Sequence, residues 1–466
     1  MDSDIIIESI EEDSRVVANN YLFCAVKGLT VDGHDYINQA IKNGAVAVLT
    51  SKDVDADVPL IKVANTSLAM GKALSKFYNE PDKHLKLIGI TGTDGKTTLT
   101  SIIYQLINRI DKCGYIGTNG VECHAFNETL NYTTPFPKEL YKYLSQFYEA
   151  KCNYVSIETS SEGFLTNRLS ALEFIISIFT NISAEHLDKH KTMENYVESK
   201  GQLFKQTKKE GYSIINNDDD YSEKIKQFSN GRIITYGINK ESDIMASNII
   251  VGENKLLFKL KLFDDYYDIV SLLSGMFNVY NLMASIGACY LLGFDIKDLI
   301  EGVKELKPIK ARINFLNYNQ PYKIILDYAH TANAVKNLLE YANVIARGRI
   351  ITVLGAAGGR DPIKRPLMGE IATKLSDYVI FTMDDPREED PNDIIDDMVK
   401  NIKNNRLNYE RIVDRGKAIH KALDLATKDD VIVVTGKGSD NYMAVGKDYI
   451  RYSDIEEIEK YFNQSK

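Results

Sequence analysis

Tryptophan is missing from this chain, so aromatic packing falls to 28 tyrosines and 17 phenylalanines. Cysteine is scarce too. Cys24, Cys113, Cys123, Cys152 and Cys289 are odd in number and scattered, with no metal-type spacing. That pattern excludes a disulfide framework and suits a reduced cytosolic protein. No apolar run approaches the roughly 20 residues that a membrane helix needs, so no membrane insertion is expected. Basic residues number 56 against 65 acidic ones, and the net charge of −9 argues against general nucleic-acid binding. Residues 1–13 are acidic, unlike a secretory or transit leader, and a cytoplasmic location is expected. No internal repeat or low-complexity tract is present. What remains, 44% apolar and 26% charged over 466 residues, is the make-up of a globular protein with a sizeable core.

Short apolar runs at 85–90, 154–158, 174–180, 212–216, 233–236, 323–327, 349–354, 378–382 and 431–435 alternate with helical segments. Most are continuous rather than alternating, as in strands covered on both faces, which predicts α/β architecture with parallel sheets. Three blocks suggest themselves, at 1–84, 85–310 and 311–466. The stretch 255–269 alternates, and is expected to form a hairpin strand or side sheet apart from the main sheet.

The most specific signal is Gly-Ile-Thr-Gly-Thr-Asp-Gly-Lys-Thr-Thr at 89–98, between an apolar run and the helix-forming stretch 99–110. Small residues let backbone N–H groups approach phosphates, Lys96 can reach the outer phosphates, and a threonine hydroxyl can ligate Mg²⁺. The helix start adds partial positive charge. Ile90 stands where the general motif has its first glycine, so this is a variant nucleotide loop. Its expected nucleotide contacts are Thr93, Asp94, Gly95, Lys96, Thr97 and Thr98.

Ligands of open α/β sheets sit beyond the carboxyl ends of strands. Glu158 ends one such run and suits Mg²⁺, while Ser160 or Ser161 beside it equally suit a helix cap. His186 follows the next strand end, and no His-Glu-x-x-His zinc pattern accompanies it. Lys200 falls within the helical run 193–204, where a lysine is ordinarily a solvated surface residue. Asp327 closes a further strand, a place for ribose or a metal-bound water. Lys364 and Arg365, after the small-residue loop 355–361, could neutralise an anionic substrate. Asp384-Asp385-Pro386-Arg387 offers an arginine fork for a carboxylate and carboxylates for an ammonium, as a zwitterionic amino acid needs; a turn with surface charges is the plain alternative.

In order and spacing these segments resemble the Mur ligases of peptidoglycan synthesis, in their UDP-N-acetylmuramoyl-tripeptide synthetase (MurE-type) branch, over nearly the whole chain. The resemblance is carried by Asp13-Ser14-Arg15, Leu22-Phe23, Asp32-Gly33-His34, the loop 91–98, Thr133-Thr134-Pro135 and Glu158 with Ser160-Ser161. It continues through Thr180-Asn181, His186-Leu187-Asp188, Lys200, Phe277-Asn278 with Asn281, and Arg312. It closes with Asp327-Tyr328-Ala329-His330, Lys364-Arg365-Pro366, the 384–387 segment and Gly436-Lys437-Gly438.

The resemblance implies three α/β domains: a UDP-substrate domain at 1–84, a central P-loop ATPase with a parallel sheet at 85–310, and a Rossmann-like amino-acid domain at 311–466. It implies a monomeric, ATP-dependent carboxylate–amine ligase that adds a diamino acid to UDP-N-acetylmuramoyl-L-alanyl-D-glutamate through an acyl phosphate. By the same resemblance Lys96, Glu158, His186 and Lys200 are catalytic. Thr97, Glu158, His186 and a carbamate on Lys200 would serve two Mg²⁺ ions. Asn281, Arg312 and Asp327 would contact ATP, and Ser14 the uridine diphosphate. Thr133, Thr134, Ser160 and Arg168 would contact the muramoyl dipeptide, and Asp384, Asp385, Arg387, Gly436 and Asp440 the amino acid.

The sequence departs from the family pattern at Glu162, where histidine is usual, at Ala311-Arg312-Ile313-Asn314 for Gly-Arg-Met-Glu, at Ser439-Asp440 for His-Glu, and at Gly359 for aspartate. Arg387 favours meso-diaminopimelate, with its second carboxylate, over L-lysine. A divergent paralogue joining another amino acid is one alternative. A folylpolyglutamate-synthetase-like ligase is another, against which the unit at 1–84 argues. A different P-loop ATPase would leave the third block without a task.

Overall fold

Strands without polar alternation demand cover on both faces, and three sheets of this chain receive it from flanking helices. The computed structural model describes residues 5–402 and 408–464. First comes a four-stranded parallel sheet in the order Ser9–Glu11, Tyr21–Cys24, Ala45–Thr50, Leu60–Lys62. The helix Thr66–Phe77 packs Met70 and Leu74 against Ile10, Leu22 and Leu49, in a core continuous with that of the central sheet.

The central sheet has eleven strands. Its parallel heart runs Arg232–Gly237, Thr207–Asn216, Phe174–Phe179, Lys86–Thr91, Tyr154–Glu158, Cys113–Gly117. The helix Lys96–Asn108 covers one face, burying Leu99, Ile102, Ile103 and Leu106 with Leu282 and Ile286 of the helix Met276–Leu291. The stretch expected to stand apart does not. Lys255–Leu262 and Asp265–Ser271 do form a hairpin, but Ile244–Gly252 pairs it to the main sheet through the parallel contact Tyr236↔Ile244. Alternation there reflects an edge of the same sheet with one wetter face, as along the burial pattern of Lys255–Leu262.

The third sheet orders its strands Asn314–Leu316, Lys323–Asp327, Val431–Thr435, Ile350–Leu354, Tyr378–Phe381, Tyr409–Arg411, all parallel except the first. Helices Ala332–Ile345, Lys364–Leu375 and Pro391–Val399 cover one face, and Arg415–Leu425 with Asp454–Gln464 the other. The expected α/β class, with a central parallel sheet and a Rossmann-like C-terminal sheet, is the architecture the chain adopts. The connection into this sheet is strained: Ala311 and Ile313 have φ of 61° and 44°, a left-handed conformation costing about 1–2 kcal/mol per non-glycine residue. Buried Asp327 holds it, its Oδ2 accepting from Ile313 N at 2.7 Å and its Oδ1 from Ala329 N at 2.8 Å.

Arg415 fastens the strand ends of this sheet. Its guanidinium donates to both carboxylate oxygens of Asp454, at 2.8 and 2.7 Å, and to the Thr435 carbonyl at 2.9 Å. Both side chains are wholly buried. Asp454→Ala leaves a guanidinium uncompensated in the core, and should cost about 3–5 kcal/mol. The measurement is denaturant unfolding of the full chain. A lower midpoint for the C-terminal transition is expected, and an unchanged one contradicts this role.

Candidate active site

Three adjacent parallel strands bring their carboxyl ends together, Lys86–Thr91 lying between Phe174–Phe179 and Tyr154–Glu158. They deliver the loop 92–98, Thr180-Asn181 and Glu158 to one place. Gly92 and Gly95 have φ of 150° and 86°. A Cβ on Gly92 would lie 1.8 Å from Thr180 Oγ1, so only glycine fits. Asn181 ties the loop down: its carbonyl accepts from Thr93 N at 2.8 Å and its Oδ1 from Asp94 N at 2.9 Å.

Lys96 Nζ donates to the carbonyls of Gly92 and Thr93 at 2.9 and 2.8 Å. Lys200 is no solvated surface residue. It is 1% exposed, donates to the same Gly92 carbonyl at 2.7 Å, and lies 4.4 Å from the centre of the Tyr196 ring. The helix Met193–Lys205 therefore turns this lysine inward. Burial, and then the charge of Lys96, push the Lys200 ammonium toward its neutral form. Burial, with Lys200 and Lys96 after it, lowers His186 to about 2, leaving a neutral imidazole.

Glu158 is completely buried. It accepts from Tyr115 OH at 2.8 Å, Thr118 N at 2.9 Å, Thr97 Oγ1 at 3.0 Å and Thr118 Oγ1 at 3.2 Å. The capping role falls instead to Ser160, whose Oγ accepts from Gly163 N at 3.0 Å. Of the two readings of this segment, the structure shows the cap, on Ser160. Thr134 Oγ1 donates to the Glu158 carbonyl at 2.8 Å and meets Ser160 Oγ, hydroxyl to hydroxyl, at 3.0 Å. Arg168 donates to the Thr134 carbonyl at 2.8 Å and stacks on Phe136, 4.1 Å from the ring centre. Thr133 meets Thr118, hydroxyl to hydroxyl, at 3.1 Å.

The C-terminal sheet closes the site from the other side. Arg312 donates to Thr97 Oγ1 at 3.1 Å, and Thr331 and Asn333 donate to the Asp94 carboxylate at 3.0 and 3.2 Å. Lys364 forms a buried pair with Glu185 at 2.9 Å. Arg365 is buried on Glu389 and Asp397 at 2.8 and 3.0 Å. Of the two residues suggested for an anionic substrate, Arg365 is engaged by these carboxylates, whereas Lys364 lines the central cavity while paired with Glu185.

Asp385 accepts from the buried Lys437 at 2.7 Å, and Asp384 lies 3.5 Å from the same amine. Arg387, with φ of 50°, is paired through its backbone to Ala444 and Gly446 of the hairpin Tyr442–Val445/Asp448–Arg451. Burial raises Asp440 to about 6, against the pull of Lys437.

A cavity of about 1740 Å³ joins these groups, from Lys96 and Glu158 to Arg387 and Asp440. Every proposed site residue lines it except Ser14, including Thr98, Asn281 and Gly436. Ser14 lies in the N-terminal unit, where its hydroxyl meets Gln39 Oε1 at 3.4 Å. Sequence reading missed Tyr115 and Thr118, which hold Glu158. It also missed Thr331 and Asn333, which hold Asp94; only the position of Thr331 as a helix cap hinted at them.

A P-loop whose cavity is completed by a separate Rossmann-like sheet defines the class: a nucleotide-using enzyme of more than one lobe. Residues 6–78, 90–289 and 311–438 match, in turn, the families described as Mur ligase family, catalytic domain; Mur ligase middle domain; and Mur ligase, glutamate ligase domain. The chain is similar to a UDP-N-acetylmuramoyl-L-alanyl-D-glutamate--2,6-diaminopimelate ligase of Halalkalibacterium halodurans, 38% identical over 441 residues, covering 94% of this chain and 90% of that one. It matches the ligase of the same name from Clostridium botulinum at 38% over 469 residues, covering 97% and 95%. A solved structure bearing that name aligns with a TM-score of 0.71 at 28% identity, covering 98% of this chain and 95% of the other. The chain belongs to the Mur ligase family, whose members are ATP-dependent ligases.

Gly92→Ala should abolish nucleotide binding while the chain stays folded, because the added methyl and the φ of 150° both oppose this loop conformation. Calorimetric titration with an ATP analogue checks this. Wild-type affinity in the variant would show that the loop does not set the phosphate site.

Proposed function

We propose that this chain joins 2,6-diaminopimelate to the D-glutamyl side-chain carboxylate of UDP-N-acetylmuramoyl-L-alanyl-D-glutamate, with ATP as the phosphoryl donor. Its support is the single cavity that runs from the P-loop to Arg387 and Asp440, together with the names of relatives aligned over nearly their whole length. In this reading residues 1–84 take the UDP moiety, with Ser14 among its contacts, residues 85–310 take ATP, and residues 311–466 take the amino acid. The enzyme works in the cytoplasm as a monomer. No helix among the described residues is long and apolar enough to cross a membrane.

A carboxylate is a poor acyl donor. Its oxygen attacks the γ-phosphorus of ATP, ADP departs, and an acyl phosphate forms. The neutral amine of diaminopimelate then attacks the carbonyl carbon, giving a tetrahedral intermediate that expels phosphate as the nitrogen loses its proton. Lys96 and the N–H groups of the loop hold the phosphates in line, which is catalysis by positioning and charge. Arg312, Asn281 and Asp327 steady the nucleotide. Thr133, Thr134, Ser160 and Arg168 orient the dipeptide carboxylate. The C-terminal sheet, held at Asp94 by Thr331 and Asn333, shields the acyl phosphate from water.

The donor set fits Mg²⁺: a hydroxyl of Thr97, the carboxylate of Glu158, and the neutral imidazole of His186 beside Lys200. Two Mg²⁺ ions held there would supply neutralisation of phosphate charge. Lys200 suits carbamylation, since a buried amine biased to its neutral form is the nucleophile that carbon dioxide requires. Its carbamate would turn a cation into a metal-facing anion.

Arg387 is proposed to hold the distal carboxylate of the diamino acid. Asp440 is proposed to hold an ammonium, because Asp385 is already engaged by Lys437. Asp384 and Gly436 shape the wall beside them; a Cβ on Gly436 would lie 2.5 Å from Asp384 Oδ2.

The test is phosphate release from ATP with the UDP-dipeptide and meso-diaminopimelate, L-lysine or no amino acid. Release dependent on diaminopimelate is expected; release indifferent to all three overturns the reading. Lys200→Ala should lose ligation by about 10²-fold or more, without rescue by bicarbonate, and full activity in it would remove the carbamate. Asp440 is ionised only above about 6. The KM for the amino acid should therefore rise as pH falls through that value, with kcat less affected. Asp440→Asn should flatten this dependence; a slope surviving in the variant assigns it elsewhere.

A further inference from the structure

Cysteine spacing along the chain predicts no metal centre, yet the fold brings Cys123, His124 and Cys152 together away from the nucleotide cavity. Their ligating atoms all lie within 4.8 Å of one another. Cys123 and His124 follow the strand Gly120–Glu122, next to the edge strand Asn127–Glu128, in a turn closed by Cys123 N donating to the Phe126 carbonyl at 2.9 Å. Cys152 lies between the helix Pro137–Glu149 and the strand Tyr154–Glu158, its N–H donating to the Phe147 carbonyl at 2.9 Å. None of the three lines the cavity.

We propose that Cys123, His124 and Cys152 form a second metal site, which takes one thiophilic cation of the zinc group. Two thiolates and an imidazole are the soft and borderline donors that select zinc-type ions over Mg²⁺. A tetrahedral zinc with bonds of about 2.3 Å to sulfur sets its ligand atoms about 3.8 Å apart, so the side chains reach that spacing by small rotations. Ala125 N donates to Cys123 Sγ at 3.3 Å, which orients that sulfur. The two cysteines are buried, at 6% and 3% exposure, while His124 is exposed and provides the entry path and an open fourth position. Thiols must lose their protons to bind a metal, so binding releases protons and strengthens as pH rises. Occupied, the site would clamp the edge hairpin to the root of the strand that carries Glu158.

Cd²⁺ is the probe, titrated into the reduced, metal-free full chain in buffer containing Mg²⁺. One equivalent per chain is expected, with a thiolate-to-cadmium ultraviolet band that Zn²⁺ competes away. Cys123→Ser and Cys152→Ser should lose the band. His124→Ala changes only an exposed side chain and should weaken binding about tenfold or more. Zn²⁺ should raise the melting temperature of the wild type more than that of His124→Ala. No band in the wild type, or wild-type affinity in His124→Ala, overturns the proposal.

Discussion

Two lysines share one carbonyl oxygen. Lys96 and Lys200 both donate to Gly92 O, at 2.9 and 2.7 Å, in a chain whose net charge is −9. Two ammonium groups brought this close out of water repel each other and resist their own charged forms. Neutralisation of Lys200 relieves that tension, and binding of anionic phosphate is a second relief. The same field holds His186 neutral. The glycine at 92 is thus more than a flexible joint. Its carbonyl is the point to which the loop, the helix Lys96–Asn108 and the helix Met193–Lys205 all direct positive charge.

Around that point the two lobes are joined by polar contacts, beside an apolar one in which Val251 and Phe277 pack on the core of the C-terminal sheet. Asp94 accepts from Thr331 and Asn333, Thr97 from Arg312, and Glu185 from Lys364. Breaking a buried pair such as Glu185–Lys364 by removing one partner costs about 3–5 kcal/mol, whereas opening the lobes together lets water satisfy both. Polar contacts of this kind suit a closure that must form and release with each turnover. The strained link at Ala311 and Ile313, pinned by Asp327, leads into the C-terminal sheet.

Much of this was readable from sequence. The continuous apolar runs marked the central strands because strands covered on both faces carry little polar alternation, and glycine, lysine and threonine together marked 89–98 as the turn between a strand and a helix. Lys200 was not readable as buried, since helical periodicity does not say which face meets a neighbouring loop. Nor was the task of Lys364 and Arg365, because their partners Glu185, Glu389 and Asp397 lie far off along the chain. The hairpin at 255–269 looked separate for want of a signal that Ile244 pairs with Tyr236. Cys123 and Cys152 looked scattered because only the packing of a helix end beside a sheet edge brings them together. In each case the missing information was long-range pairing.

One labelling measurement reaches the core of the account, that the cavity carries a phosphoryl group from the loop to a carboxylate. Ligation is run with UDP-dipeptide whose D-glutamyl side-chain carboxylate bears heavy oxygen, and the released phosphate is analysed by mass spectrometry. An acyl phosphate route predicts one labelled oxygen in each inorganic phosphate formed. Unlabelled phosphate accompanying full ligation would contradict it.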